Sequence, residues 1–192
     1  IFKNKFITNI KLDQKLAKFT WFGVGGNAEI LFIPEDEKSL MDFLKNKPQE
    51  YKVFAIGAGS NLLIRDKGIN GIVLVTKKLK KISIDNNGII SAQAGATDAE
   101  VARFARDYER AGLEFLLGIP GTIGGGIKMN SGAFGSEFKD VLIDVTAINN
   151  SGELKVFSND ELKMDYRKIG VSDEWIFYKA RFKSSCDNRK NI

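Results

Sequence analysis

The sequence predicts an α+β fold in two unequal parts, a small β-α-β lobe followed by an antiparallel sheet with helices. Three observations carry that expectation. Strand-like runs at 29–33 and 52–56 bracket a stretch with helical apolar spacing, so the first third alternates β, α, β. Two turn tripeptides, Asn86-Asn87-Gly88 and Asn150-Ser151-Gly152, each separate a pair of strand-like runs and read as hairpins. Hairpins dominate after residue 76, which argues against a doubly wound parallel sheet.

The elements follow in order. Residues 1–17 read as an N-terminal segment, 18–76 as the first lobe and 77–183 as the second. The strand at 29–33 stops at Pro34, which has no N–H to give a ladder. Leu40, Phe43 and Leu44 recur at helical spacing within 36–45. Strands at 52–56 and 72–76 follow, with an apolar run at 62–64 between them. Runs at 81–85 and 89–94 form the first hairpin. Thr97 and Glu100 form a capping box. Val101, Phe104, Ala105 and Tyr108 continue that helix, and Gly112 is expected to close it. Runs at 141–149 and 153–158 form the second hairpin, 160–163 a short helix, and 175–183 the last strand. Residues 184–192 are polar and expected to be disordered.

Composition narrows the chemistry. Of 192 residues, 43% are apolar and 28% charged, the balance of a globular domain with a real core. The net charge of +5 comes from scattered lysines, which read as a solvated surface and give no nucleic-acid footprint. One cysteine, Cys186, cannot form an internal disulfide. The absence of histidine removes Ser-His-Asp and Cys-His catalysis and most zinc sites. Reactivity must therefore come from backbone donors, Arg, Lys, Tyr, Ser, carboxylates or a cofactor. No apolar run approaches the roughly 20 residues of a membrane helix, and the start lacks a signal peptide's apolar region, so a cytoplasmic location is expected.

Two glycine-rich loops stand out. The first, Ala55-Ile56-Gly57-Ala58-Gly59-Ser60-Asn61-Leu62-Leu63-Ile64, begins like a dinucleotide-binding fingerprint but lacks its third glycine. An apolar run stands where the helix should start. Consecutive small residues can still aim several N–H groups into one concavity and bind phosphate oxygens, with Ser60 and Asn61 as further donors. On its own, such a glycine pair more often marks a plain turn. The second loop, residues 118–135, holds seven glycines in 18 residues, interleaved with Ile, Met and Phe. Ordering so many glycines costs entropy. A flexible linker would not carry apolar residues among them, so the pattern suits backbone packed against a flat ligand. Gly121 to Gly126 has Walker A spacing, but Ile127 replaces the required lysine.

Together these motifs resemble the UDP-N-acetylenolpyruvoylglucosamine reductases. The resemblance rests on Ile56-Gly57-Ala58-Gly59-Ser60-Asn61-Leu62-Leu63, on Gly118-Ile119-Pro120-Gly121-Thr122-Ile123-Gly124-Gly125-Gly126, and on Met129-Asn130-Ser131-Gly132-Ala133-Phe134-Gly135. Thr20 with residues 23–28 resembles the family's N-terminal flavin motif, and Tyr166-Arg167 its catalytic pair. It covers residues 8–183. It implies a two-lobed FAD-binding domain of the vanillyl-alcohol-oxidase (PCMH) type and NADPH as hydride donor. The implied reaction is reduction of the enolpyruvyl group on a UDP-sugar, in peptidoglycan synthesis. Carried over by motif, Gly57, Ala58, Gly59, Ser60, Asn61 and Leu62 hold the FAD pyrophosphate. Pro120, Gly121, Thr122, Gly124, Gly125, Met129, Asn130 and Ala133 line the flavin. Arg167, beside Tyr166, stabilises an enolate. No metal, nucleic acid, membrane or protein partner is implied.

The sequence departs from the pattern in two ways. Ile169 stands two positions after the arginine, where the family usually has serine or a similar residue. The family also continues into a substrate domain carrying a serine proton donor and a glutamate, and the chain is expected to stop before it. Without the other motifs, Arg167 reads as a solvated surface arginine. Two rivals compete with this reading. One is an oxidase with covalently attached flavin, which generally needs His or Cys at the attachment point. The other is a flavin- or nucleotide-binding module with no turnover.

Overall fold

The computed structural model describes residues 9–187. The first lobe is a four-stranded sheet in the order β1-β2-β4-β3, built from β1 (Ile10–Lys15), β2 (Asn27–Phe32), β3 (Val53–Ile56) and β4 (Ile69–Val75). β1 runs antiparallel to β2, and β4 lies parallel to both β2 and β3. Helix α1 (Glu37–Asn46) makes the crossover from β2 to β3. Asp36 caps it, accepting from the Ser39 N–H at 2.7 Å, while Ser39 Oγ accepts from the Asp36 N–H at 3.0 Å. Leu40, Phe43 and Leu44 are fully buried, and Phe43 stacks on Phe32 of β2 with ring centroids 3.7 Å apart.

The second lobe is a five-stranded antiparallel sheet in the order β11-β10-β12-β6-β5. Its hairpins are β5 (Ile82–Ile84) with β6 (Ile90–Gln93), and β10 (Leu142–Ile148) with β11 (Leu154–Ser158); β12 (Ile176–Phe182) lies between β10 and β6. Helix α2 (Asp98–Asp107) starts at the Thr97–Glu100 capping box. It packs Val101, Ala102 and Ala105 into a core with Phe138, Val145, Ala180 and Phe182. Smaller pieces complete the lobe: β7 (Arg110–Ala111), α3 (Ile123–Lys128), β8 (Gly132–Ala133), β9 (Ser136–Glu137), α4 (Phe138–Val141), α5 (Asn159–Leu162) and β13 (Ser185–Cys186).

The two lobes share a core. Phe32, Phe43, Ile72 and Leu74 of the first pack with Ile148, Ile176 and Tyr178 of the second. The Tyr178 hydroxyl donates to Glu37 Oε2 at 2.6 Å and accepts from Gln93 Nε2 at 3.1 Å. That network joins α1 to β6 and β12 across the lobe boundary.

Three expectations change. Residues 10–15 are an edge strand of the first sheet rather than part of a separate leader, because Asn27–Phe32 offers them a full antiparallel register. Helix α2 ends at Asp107, ahead of Gly112; Glu109 takes a left-handed φ of 54° and turns the chain. The strand at 176–182 is not the last, and the first residues of the predicted disordered tail are structured. Ser184 Oγ donates to Gly88 O at 2.5 Å and accepts from Arg110 Nε at 2.9 Å, and β13 then pairs with β7. Residues 188–192 lie outside the described part of the chain.

Replacing Tyr178 by Phe removes the donor to Glu37 and leaves Gln93 without its acceptor. The expected loss of stability is about 1–3 kcal/mol. It is read as a lower urea midpoint at an unchanged denaturant slope.

Candidate functional site

A trough of about 1410 Å³ runs along the seam between the lobes. It exceeds the roughly 300–1,000 Å³ of a drug-sized site and suits a long, dinucleotide-sized ligand. Its walls take in residues 57–62 from the first loop, Pro120, Gly121, Thr122, Gly124 and Gly125 from the second, and Met129, Asn130, Tyr166 and Arg167.

The first loop leaves the C-terminal end of β3. Gly59 has φ +68°, and a Cβ there would stand 2.0 Å from the Phe19 carbonyl oxygen, so only glycine fits. Its carbonyl accepts from the Trp21 N–H at 3.1 Å, which ties the loop to the chain before β2. Residues 61–67 then form neither helix nor strand. No helix dipole backs this loop, so its anion-binding capacity rests on N–H groups together with Ser60 and Asn61.

The second loop is more regular than its glycine content suggests. Residues 119–122 are irregular and Ile123–Lys128 forms α3, with Ile123 and Ile127 buried. Some of its glycines are demanded by packing behind the wall: a Cβ at Gly126 would lie 2.4 Å from the Phe138 ring. Gly125 is different, with no atom nearer to its Cβ position than Thr122 Oγ1 at 3.8 Å, and it lines the trough. The two loops meet where a Cβ on Gly57 would fall 2.1 Å from Thr122 Oγ1.

Tyr166 and Arg167 form the tip of a tight turn closed by two backbone bonds of 3.0 Å between Asp165 and Lys168. Both are exposed, Arg167 has φ 50°, and its guanidinium carbon stands 5.4 Å from the Tyr166 ring centroid. Ile169, the departure noted in the sequence, packs against the second-lobe core. Asn130 fastens the turn to the second loop. Its Nδ2 donates to Glu137 Oε2 at 2.6 Å and Asp165 O at 3.4 Å, and its Oδ1 accepts from the Lys139 N–H at 3.0 Å. Asn130 thus spends its side chain inside the protein, although it borders the trough. Ala133 does not belong to the wall; it pairs with Ser136 in the β8–β9 hairpin. Lys128, which has only a surface reading from sequence, borders the trough and pairs with Asp173 Oδ1 at 2.6 Å. That contact holds the Asp173 carboxyl below its ordinary value.

One wall residue escaped the sequence reading. Asp98 is fully buried, and burial pushes its carboxyl up to about 8. Neither of its oxygens has a hydrogen-bond partner, and neither has Thr122 Oγ1. An aspartate in the first turn of a helix ordinarily reads as a solvated partner of the helix dipole, so no sequence signal marks it.

These features define a binding domain for an extended anionic cofactor. Two glycine loops converge on one seam, polar groups along it lack partners, and no cluster among the described residues could hold a metal ion. The family model described as an FAD binding domain matches residues 28–158, and the chain belongs to that family. Among curated relatives, it is 45% identical over 175 residues to a UDP-N-acetylenolpyruvoylglucosamine reductase of Paramagnetospirillum magneticum, covering 91% of this chain. It is 43% identical over 182 residues to the protein of that name from Orientia tsutsugamushi, covering 93% of this chain. The chain spans 57% and 60% of the length of these two relatives. Among solved structures, the reductase of that name from Thermus caldophilus superposes with a TM-score of 0.79 at 30% identity, over 95% of this chain and 64% of that one. A glucooligosaccharide oxidase of Acremonium strictum, described as carrying cysteinyl- and histidyl-linked FAD, shares the fold at 18% identity and TM-score 0.66, over 83% of this chain and 35% of its own.

Two predictions follow from the geometry of this wall. Gly57→Ala should force the loops apart and weaken flavin binding by about ten-fold or more. Adding Thr122→Ala should relieve the clash and restore part of the thermal stability lost, because the new Cβ then faces the Cβ of residue 122 at 3.4 Å. Fluorescence titration of the single variant and thermal melts of both check it.

The second prediction concerns Asp98. Its folded value of about 8 lies above the ordinary 3.8, so the native state keeps a proton that the unfolded chain releases. Stability should therefore fall as pH rises from 4 to 8. Asp98→Asn removes that slope and should raise the melting temperature at pH 8 by several degrees, at about 2–4 °C per kcal/mol. Scanning calorimetry of the ligand-free protein across that range tests the sign.

Proposed function

We propose that this chain is the flavin-binding part of a UDP-N-acetylenolpyruvoylglucosamine reductase, a cytoplasmic oxidoreductase of peptidoglycan synthesis. The observation that carries the reading is the convergence of both glycine loops and the Tyr166-Arg167 turn on one trough. The reductase names of the relatives quoted above support it.

FAD is held non-covalently, since the chain has no histidine and its single cysteine, Cys186, lies outside the trough. Residues 57–62 hold the pyrophosphate, and the segment from Pro120 to Gly125, with Met129, lies along the ring system. When bound there, FAD would supply hydride transfer from NADPH to the enolpyruvyl group of UDP-N-acetylglucosamine enolpyruvate. Arg167 places a fixed positive fork at the trough, where negative charge develops on the substrate carboxylate side. Tyr166 backs that guanidinium and limits its freedom. Asn130, through Asp165, fixes the turn that presents both.

Residues 1–192 alone bind FAD and do not complete turnover. The trough is open along the seam, and the relatives carry a further two-fifths of their length. Acid treatment of the purified, flavin-loaded chain should release a yellow chromophore into the supernatant, and dithionite should bleach the bound flavin. With NADPH and substrate, no UDP-N-acetylmuramate should form, whereas a full-length relative assayed beside it should form product. Colour that stays with the precipitate would refute non-covalent binding, and stoichiometric product would refute the incomplete site.

A further inference from the structure

The trough wall contains two side chains whose burial the fold does not explain. Asp98 is 0% exposed and Thr122 is 4% exposed, and both border the trough. The two Asp98 carboxyl oxygens and the Thr122 hydroxyl find no hydrogen-bond partner. Buried polar atoms are nearly always paired, because desolvation without replacement costs free energy. A carboxyl group left this way weakens the fold that carries it.

Their position says what would pair with them. Asp98 Oδ2 lies behind Gly121, 2.7 Å from where a Cβ would stand, and the Asp98 N–H donates to Gly121 O at 3.2 Å. Thr122 Oγ1 faces the other way, toward Gly57 of the first loop. The pair therefore spans the junction of the two loops. The reading of this trough as an FAD site, on which this inference rests, puts the pyrophosphate on one loop and the isoalloxazine on the other. The covalent order of FAD then places the ribityl chain at the junction. That chain is a run of hydroxyls, each able to donate and accept. The pyrophosphate only accepts and the ring carries a single N–H, while the adenosine ribose, which also carries hydroxyls, lies beyond the pyrophosphate and away from the second loop.

We propose that Asp98 and Thr122 form a polyol-binding pair in which the ribityl hydroxyls of the flavin supply the hydrogen bonds that these two side chains lack. On α2, Glu100 is engaged elsewhere, bound to Thr97. Burial alone raises the Asp98 carboxyl above its ordinary value. The ligand-free protein bears the cost of the buried carboxyl, and the holoprotein recovers it at the seam.

The test reads flavin affinity and apo stability separately, using the purified chain stripped of flavin. Asp98→Ala should melt higher than the wild type without ligand, yet bind FAD about ten-fold or more weakly. Asp98→Asn, which keeps a donor and an acceptor, should bind within about three-fold of the wild type. FAD analogues that each lack one ribityl hydroxyl complete the cycle: against the right analogue, the Asp98→Ala penalty should vanish. Undiminished FAD binding by Asp98→Ala in a protein whose wild type binds FAD would overturn the pairing alone. An equal penalty with every deoxy analogue would do the same, because the carboxyl would then act elsewhere. Failure of the wild type to take up FAD would instead sink the flavin reading together with the inference built on it.

Discussion

The site depends on a short stretch of chain without large side chains, Ala94-Gly95-Ala96, where every surrounding element reaches the backbone directly. The Ala94 N–H donates to Tyr178 O of β12 at 2.8 Å, and the Gly95 N–H to Leu79 O at 2.7 Å on the way out of the first lobe. On the other side, the carbonyls of Ala94 and Ala96 accept from Gly124 and Ile123 at 3.0 and 2.9 Å. A Cβ on Gly95 would stand 2.0 Å from Thr76 O, and one on Gly124 would stand 2.8 Å from Ala94 Cβ. Both lobes and the second glycine loop therefore register on one strand extension. Much of the glycine in this sequence serves that backbone-to-backbone contact rather than flexibility, and the trough is the space left over when these contacts are made.

This explains which parts of the architecture could be read from sequence. Local chemistry was legible. The Thr97–Glu100 cap and the apolar spacing of Leu40, Phe43 and Leu44 mark helices where they form, and both turn tripeptides close hairpins. What depends on a distant partner was not. β1 alternates weakly, with Leu12 exposed, and becomes a strand only because β2 has a free edge. β13 is polar and two residues long, and it is ordered by Arg110 and Ser184, far apart in sequence. Helix α3 contains three glycines, which oppose helix formation, and forms because Ile123 and Ile127 are driven into the core.

The site divides along the same line. Glycine loops announce themselves by composition, and residues 57–62 border the trough as a run, as do 120–125 apart from the buried Ile123. Individual side chains within a motif do not announce their direction. Asn130 turns inward to hold Glu137 and Asp165, and Ala133 pairs with Ser136 in a hairpin. Asp98 reads as an ordinary first-turn acid and becomes unusual only when Gly121 closes over it. Its solvation is set by a loop twenty-odd residues away, which no local pattern encodes.

Part of the cost in this structure lies where the ligand would lie. Asn130, Phe134 and Arg167 hold left-handed φ values of 40°, 53° and 50° within or beside the segments that border the trough, while Asp13, Glu109 and Lys163 hold similar values elsewhere. Such conformations cost of order 1 kcal/mol or more each for residues other than glycine. The unpartnered Asp98 and Thr122 add desolvation on the same wall. A fold selected for stability alone would shed these features, since glycine at the strained positions and apolar residues at the buried ones would suffice. Elsewhere in the described residues, buried Tyr178 and Asp144 have found partners in Glu37 and Arg181. The unpartnered pair on this wall fits a site shaped for a bound state. A ligand that fills the seam recovers the desolvation and holds the strained turns, and it stabilises the native state by mass action. At the Tyr166-Arg167 tip, backbone strain, exposure and a cation coincide.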